Sequence, residues 1–380
     1  MSEQAAIPRS AYIHVPFCAH RCGYCNFTLI AGRADLVDRY LLALARELSW
    51  LESPRPVETL FIGGGTPSFL SADALARLLH LVVAWFPPLD GHEFSVEANP
   101  DGLDTERIAV LADHGVTRVS LGAQSFHPAK LRALERDHSP ADIGQSVESC
   151  RRRIKSVSLD LIFAAPGETL ASWRNDLQAA LSLSPDHLST YGLTYERGTT
   201  FWSRRLKGEL SSLDEELERA LYAEAIDRLT AAGFEHYEVS NFARPGHRCR
   251  HNEVYWAGRP YFAAGPGAAR YVSGRRELNH RSTTTWMARV LAGRSAVAET
   301  EELSPEDRAR EALVLGLRKL EGVSRAEFAR STGFEVDQLV GPALARYLDQ
   351  GMLAEHNGRL QLTREGLFVS DAIWPHFLRS

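Results

Sequence analysis

Three cysteines fall within eight residues, at Cys18, Cys22 and Cys25. They sit in the string Tyr12-Ile13-His14-Val15-Pro16-Phe17-Cys18-Ala19-His20-Arg21-Cys22-Gly23-Tyr24-Cys25-Asn26-Phe27. The spacing is Cys-x3-Cys-x2-Cys, neither the paired Cys-x2-Cys of zinc sites nor the ferredoxin run. Three thiolates on one tight loop can each hold one iron of a [4Fe–4S] cube, leaving the fourth iron without a protein ligand. An open iron of this kind can take the amine and carboxylate of S-adenosylmethionine. An electron from the cluster can then break the adjacent C–S bond and release a 5′-deoxyadenosyl radical, while the protein positions and shields the chemistry. The plainer alternative is zinc, with His14 or His20 as the fourth ligand.

These residues need a scaffold, and the chain supplies a repeating one. Ala11–Val15 reads as a strand that runs into the cysteines. Leu36–Leu51 then carries helical spacing through Leu36, Tyr40, Ala43, Leu44, Glu47 and Leu48. Further strands are expected at Thr59–Ile62, Glu93–Ala98, Arg118–Gly122, Ser156–Ile162 and His187–Leu193. Helices are expected between and after them, at Ala72–Trp85, Thr105–His114, Ala141–Arg152, Leu170–Leu183 and Leu213–Ala232. Six strand–helix units in a row predict a parallel α/β sheet whose strands are apolar and buried on both faces. Periodicity alone leaves a part-closed barrel and an open doubly wound sheet both standing. In either, functional groups belong on the loops after the strands.

Residues 241–281 show little period and predict a long irregular segment, which is usually functional. Beyond it, helices are expected at Pro305–Leu320, Arg325–Ser331 and Val336–Gln350, then a hairpin turning at Asn357-Gly358. Three helices and a hairpin predict a small winged-helix-like domain. Its expected wing is poor in basic residues, which favours docking over DNA binding. The expected division is a core at 1–240, a loop-rich extension at 241–298 and a C-terminal domain at 299–380.

The 380 residues include 43 Lys+Arg and 48 Asp+Glu, a net charge of −5. That balance gives no electrostatic footprint for nucleic acid or an anionic membrane. No apolar run is long enough to span a bilayer and Met1–Ser10 has no apolar signal core, so a cytoplasmic protein is expected, with membrane contact at most peripheral. The five cysteines are an odd set, which argues against a disulfide framework. Cys150 lies in an expected helix and reads as a small core residue.

Around the cysteines, Gly63-Gly64-Gly65-Thr66 follows the second strand and lets backbone approach a ligand closely; read alone it is a tight β–α turn. Glu97 ends the third strand and can accept from a ribose diol or an amine. Asp160 lies within an apolar strand and needs a partner, for which Arg136 is the candidate.

The cysteine motif, with its preceding strand and the aromatic Tyr24, resembles the radical-SAM superfamily. Nearly the whole chain is similar to the oxygen-independent coproporphyrinogen oxidase family. The carriers are Tyr12–Phe27, Gly63–Ser68, Phe94–Pro100, Leu121–Phe126, Asp160–Ile162 with Pro166-Gly167, and Gly265-Pro266-Gly267. The resemblance implies a partial TIM-type (β/α)6 barrel with a winged-helix-like C-terminal domain, a [4Fe–4S] cluster on Cys18, Cys22 and Cys25, and bound S-adenosylmethionine. It carries Tyr12, Tyr24, Gly64, Gly65, Thr66, Glu97, Gln124, Arg136 and Asp160 over as cofactor contacts. Glu135-Arg136 stands where the family often has Gly-Arg, so a different local turn is expected there.

This family divides into oxidases and haem chaperones. The oxidases carry a fourth cysteine two positions past the third, where this chain has Phe27, and a long extension before the cluster. Here only seventeen residues precede Cys18. The string His251-Asn252-Glu253-Val254-Tyr255-Trp256 resembles one typical of the chaperones. The expectation is therefore a haem chaperone that passes haem to apo-haem proteins, with His251, or else Cys249, ligating the iron and Arg248 and Arg250 pairing the propionates. The plainer reading of His251 is that it ties down a long loop by hydrogen bonds. A coproporphyrinogen III oxidase and a zinc-stabilised binding protein are the alternatives.

Overall fold

A computed structural model describes residues 7–378. The expectations for residues 1–6, including that part of the N-terminal reading, lie outside the described residues. Strand β1, Ser10–Val15, alternates between two environments. Ala11, Ile13 and Val15 pack into the main core with Tyr40, Leu44 and Leu48 of the next helix. Ser10, Tyr12 and His14 face the other way, and Ser10 accepts a hydrogen bond from Thr59 Oγ1 at 2.9 Å. The same period of two continues through β2 (Val57–Gly64), β3 (Pro88–Ala98), β4 (Arg118–Gln124), β5 (Ser156–Phe163) and β6 (His187–Gly192). These six strands are parallel neighbours in chain order. Phe262–Ala264 adds a parallel strand outside β1, while Asn241–Ala243 and Glu235–Glu238 add antiparallel strands outside β6. The nine-stranded sheet curls without closing, as a partial barrel.

The strands are covered on both faces, but the expected continuous apolar character does not hold. Their inward positions are polar. Glu97, Ser120, Ser158, Asp160 and Ser189 line an internal cavity of about 110 Å³. The outward residues Leu121, Val157, Leu159 and Leu188 supply the apolar layer against the helices. A polar lumen and a helix-covered back produce alternation, where a doubly packed sheet would not.

The covering helices are α1 (Val37–Ser49), α2 (Ala72–Trp85), α3 (Thr105–Asp113), α4 (Pro128–Ala133), α5 (Pro140–Arg151), α6 (Leu170–Ser182), α7 (Thr200–Leu206) and α8 (Glu215–Ala231). Capping sets several starts. Ser71, Asp104, Ser139 and Thr169 each accept a backbone N–H of the adjoining helix, and Pro140 takes the first position of α5.

Residues 241–298 correct the sequence reading, because they are largely regular. They hold α9 (Arg250–Trp256), α10 (Thr283–Leu291) and an antiparallel sheet of Ala269–Val272, Arg275–Asn279 and Val297–Glu302. Strands of three to six residues are too short to print a period on the sequence. The expected boundary at 298/299 falls inside Val297–Glu302, and the one at 240/241 falls in the turn between two paired strands.

The C-terminal part is α11 (Pro305–Leu317), α12 (Arg325–Thr332), α13 (Val336–Asp349) and the hairpin Leu353–His356/Arg359–Leu362, with Val323–Ser324 pairing onto it. Asn357 and Gly358 both have positive φ, 52° and 70°, as a tight primed turn demands. The basic side chains at the wing are paired: Arg325 with Asp337 at 2.7 Å and Glu355 at 3.0 Å, Arg359 with Glu327 at 3.6 Å. The domain docks on α8 through Arg364–Asp227 at 2.6 Å and Arg219–Glu365 at 2.8 Å. No helix of the described residues is long and apolar enough to cross a membrane.

One buried carboxylate ties the extension to the barrel. Glu47 of α1 accepts from the Gly265 N–H at 2.9 Å, Asn279 Nδ2 at 2.7 Å and Trp286 Nε1 at 3.1 Å. Burial pushes its carboxyl up to about 7, against the pull of those three donors. Gly265 has no room for a side chain: a Cβ there would lie 2.5 Å from the His14 carbonyl oxygen. Glu47→Ala leaves the Gly265 N–H and Trp286 Nε1 buried without an acceptor, and Asn279 Nδ2 with the Gly265 carbonyl at 2.8 Å for only one of its two hydrogens. It should lower stability by about 3 kcal/mol or more in urea unfolding, at roughly 1–3 kcal/mol for each unsatisfied group. A loss under about 1 kcal/mol would mean the donors find other partners.

Candidate cluster and cofactor site

The cysteine loop leaves the C-terminal end of β1 and is held by its own backbone. Phe17–Cys18 pairs with Ile30–Ala31, and Cys25 N–H bonds the Cys22 carbonyl at 3.0 Å. Arg21 lies across the loop and donates to the carbonyls of Cys25, Phe27 and Leu29 at 3.3, 3.3 and 2.7 Å. All three cysteines are free thiols; Cys18 and Cys22 are buried and Cys25 half-buried. Burial pushes the Cys18 thiol up to about 11, only partly offset by the Thr66 hydroxyl. A bound metal is what would hold such a thiol ionised. Gly23 is required for fit, since a Cβ would lie 2.3 Å from the Phe201 ring.

A chain of hydrogen bonds joins two of the cysteines through three neighbouring loops. Arg136 Nη1 donates to Cys22 Sγ at 3.5 Å. Its Nη2 donates to Asn99 Oδ1 at 2.6 Å and to the Gly122 carbonyl at 3.2 Å. Asn99 Nδ2 donates to Thr66 Oγ1 at 3.3 Å, and Thr66 Oγ1 lies 3.3 Å from Cys18 Sγ. The relay draws Cys18 and Cys22 from the loop after β1, Thr66 from the one after β2, Asn99 from the one after β3, and Arg136 from the turn between α4 and α5. Asn99 lies in the string Phe94–Pro100 and is not singled out by the sequence. Its signal is present there nonetheless, because Asn99 continues the inward parity of Ser95 and Glu97.

Gly65 makes the cradle beside the loop. A Cβ there would lie within 2.9 Å of the Val15 carbonyl oxygen and of Phe17 backbone atoms. Gly64 has φ 108° and its N–H donates to Glu97 Oε2 at 2.9 Å. Glu97 is half-buried, and desolvation holds its carboxyl up to about 7, opposed by the Gly64 bond and reinforced by the charge of Asp160. Asp160 is also raised by burial, opposed chiefly by serine hydroxyls. The expected pairing of Asp160 with Arg136 is corrected: Ser120 Oγ donates to Asp160 at 3.0 Å, while Arg136 is committed to Asn99 and Cys22. Hydroxyls are enough because the carboxyl faces the polar lumen. Tyr12 points into the lumen with its hydroxyl 3.0 Å from His14 Nδ1. Tyr24 packs on Phe201 at 6.0 Å between ring centres.

Gln124 is held in a strained turn. Its φ is 61°, and the Ser125 N–H bonds the Ala123 carbonyl at 2.7 Å across it. Asp176 clamps the residues just beyond, accepting from the Phe126 N–H at 2.6 Å, Ser125 Oγ at 2.7 Å and Lys130 Nζ at 3.0 Å. Lys130 of α4 also pairs with the buried Glu168. At the Glu135-Arg136 departure, Glu135 adopts φ 56°, the left-handed conformation that glycine favours. Its carbonyl accepts from His20 Nε2 at 2.7 Å.

The histidines offered to zinc have other partners. His14 Nε2 lies 2.6 Å from the Thr28 carbonyl oxygen and its Nδ1 meets Tyr12, while His20 Nδ1 pairs with Asp137 at 2.9 Å. Burial lowers His14 to about 4, so it is neutral at pH 7.

His251 lies toward the opposite end of the barrel, 1% exposed. Its Nδ1 is 2.9 Å from Thr59 Oγ1 and its Nε2 is 2.8 Å from the Tyr255 hydroxyl. Burial lowers its pKa to about 3. Glu93, inside β3, caps α9 by accepting the N–H groups of Arg250 and His251 at 3.1 and 3.0 Å. Both ring nitrogens of His251 are engaged in the interior, and the residue ties its helix to the barrel floor. Cys249 is buried with its Sγ 3.7 Å from Glu93 Oε1. Arg248 pairs with Glu235 at 2.9 Å, and Arg250 donates to the Gly91 carbonyl at 2.6 Å.

Comparison with known proteins agrees with this geometry. Residues 12–180 match the radical SAM superfamily and residues 303–369 the HemN C-terminal domain. The chain is 35% identical over 375 residues to a heme chaperone HemW from Bacillus subtilis, covering 97% of this chain and 99% of that one. It is 38% identical over 375 residues to the heme chaperone HemW of Mycobacterium tuberculosis, covering 96% and 94%. Coproporphyrinogen III oxidase (HemN) from Escherichia coli, a solved structure, superposes with a TM-score of 0.86 at 22% identity, over 97% of this chain and 90% of that one. The chain belongs to the radical SAM superfamily and, within it, to the family of the HemW heme chaperones.

Proposed function

We propose that this protein binds haem as cargo, carries a [4Fe–4S] cluster on Cys18, Cys22 and Cys25 with S-adenosylmethionine beside it, and passes haem to apo-haem proteins. The observation that carries this reading is similarity to heme chaperones along the full chain, joined to an intact cysteine relay. When bound, the cluster supplies an electron to the ligand on its open iron.

The chain's own residues do the rest. The three thiols come from one loop whose carbonyls Arg21 gathers. Gly64 and Gly65 bring backbone close enough for a ligand to use it. Ionised Glu97 accepts from the ligand's amine, and Asp160, across the lumen, accepts from a ribose diol. Arg136 gives positive charge to the Cys22 side of the loop while holding Asn99. Phe27, where the oxidases have a fourth cysteine, is exposed apolar surface and supplies no further ligand.

The test of transfer is kinetic. Haem loaded on the full chain should move to an apo-haem acceptor at a rate that rises with acceptor concentration and saturates, the mark of a complex. A rate independent of the acceptor would reduce the protein to passive release. Conversion of coproporphyrinogen III to protoporphyrinogen by reconstituted protein would favour the oxidase instead.

Affinity for S-adenosylmethionine should depend on pH through Glu97. Asp160, Tyr12 and Tyr191, on β5, β1 and β6, act on the same carboxyl from across the lumen. Binding should be full above about pH 7 and weaken as pH falls through that value, where Glu97 takes up its proton. Glu97→Gln should flatten the profile and bind weakly throughout; a flat profile in the unaltered protein contradicts the role. Asp176→Ala should release the Gln124 turn and weaken S-adenosylmethionine binding by about tenfold, for strain of roughly 1–3 kcal/mol that is no longer held. Its iron content should stay unchanged, and unaltered affinity would remove Asp176 as a positioning residue.

A further inference from the structure

The segment after β6, residues 194–207, forms a basic and aromatic ledge beside the cysteine loop, and cluster and S-adenosylmethionine binding leave it unused. It is fixed there by Phe201 of α7. The Phe201 N–H donates to the Gly23 carbonyl at 2.8 Å, and its ring packs on Tyr24. Tyr24 and Tyr195 cover the same small apolar cluster of Leu134, Ile162, Ala165, Leu193 and Phe201. The ledge and the cysteine loop are one packed unit.

Arg204 pairs with Glu135 at 3.4 Å and Glu209 at 3.6 Å. Arg197 and Arg205 have no carboxylate partner among the described residues. Each lies instead over an aromatic ring: Arg197 over Trp202 at 5.8 Å and Arg205 over Tyr195 at 5.1 Å. Leu206 is 71% exposed, and Phe27 on the cysteine loop is 62% exposed. The surface thus offers two guanidinium groups without anions, two aromatic faces and bare apolar side chains. A flat apolar ring bearing two carboxylates has the complementary chemistry.

We propose that this ledge is the haem-docking surface, with the macrocycle against Tyr195 and Trp202 and its two propionates paired to Arg197 and Arg205. The proposal rests on the haem-chaperone reading and locates its cargo. It puts haem at the cluster end of the barrel, whereas the paired Arg248 and the enclosed His251 lie at the other end.

The experiment is a Soret titration of the full-length reconstituted protein with haem and with its dimethyl ester, which lacks the two carboxylates. If the unaltered protein binds no haem, the chaperone reading itself falls. If it does bind, Arg197→Ala/Arg205→Ala should weaken haem about tenfold or more, two charge-assisted pairs being lost. Arg197→Lys/Arg205→Lys should recover part of that loss. S-adenosylmethionine binding, which uses neither arginine, reports that the variants are folded. The unaltered protein should bind the ester about as weakly as the Ala variant binds haem, and the Ala variant should not distinguish the two. Equal haem affinity in variant and unaltered protein, or equal affinity for haem and ester in the unaltered protein, would overturn the ledge.

Discussion

The site hangs on one guanidinium. Arg136 reaches Cys22 Sγ with one nitrogen and Asn99 with the other, and through Asn99 and Thr66 its hold extends to Cys18. Three consecutive β–α loops and the turn between α4 and α5 are thereby fixed to each other at the open end of a sheet that does not close on itself. Loops are normally the mobile part of such a fold. Here a charge-assisted network in a half-buried setting gives them a single arrangement, since a broken link would leave buried polar groups unsatisfied. The strain at Gln124 and the left-handed Glu135 belong to the same construction, because each aims a neighbouring residue at the relay or the lumen.

The barrel's two ends have different jobs because the inward residues differ. Toward the C-terminal ends of the strands stand the thiols and the glycine turn, and Glu97 and Asp160 line the polar cavity within. Toward the other end, Glu93 caps α9 and Thr59 bonds His251, so the chain closes its own floor. Burial acts oppositely on the two kinds of group. It keeps His251 neutral as a structural tie, and it brings the Glu97 carboxyl to about 7, where a cationic ligand can ionise it.

Much of this is legible in the sequence. The six strands and their helices are local patterns with caps such as Ser71 and Ser139, so the helix Ala72–Trp85 stands where the apolar spacing puts it. The cysteines, the glycine turn, Glu97 and Asp160 stand on or near strand ends, where parity and punctuation mark them. The illegible part depends on residues far apart in the chain. The partner of Asp160 is a serine one strand over, and no local signal distinguishes Ser120 from Arg136. The enclosure of His251 depends on Thr59, 192 positions earlier in the chain. The strands at 241–298 are short pieces whose order comes from the sheets they form and from the hold of Glu47 on Gly265 and Asn279.

The central claim is that three thiolates on this loop hold a cube with one iron left for S-adenosylmethionine. The direct measurement is electron paramagnetic resonance of the anaerobically reconstituted, reduced protein with and without that ligand. The account predicts a [4Fe–4S]⁺ signal whose g-values change when S-adenosylmethionine is added. A protein with no cubane signal, or with one the ligand leaves unmoved, would contradict it.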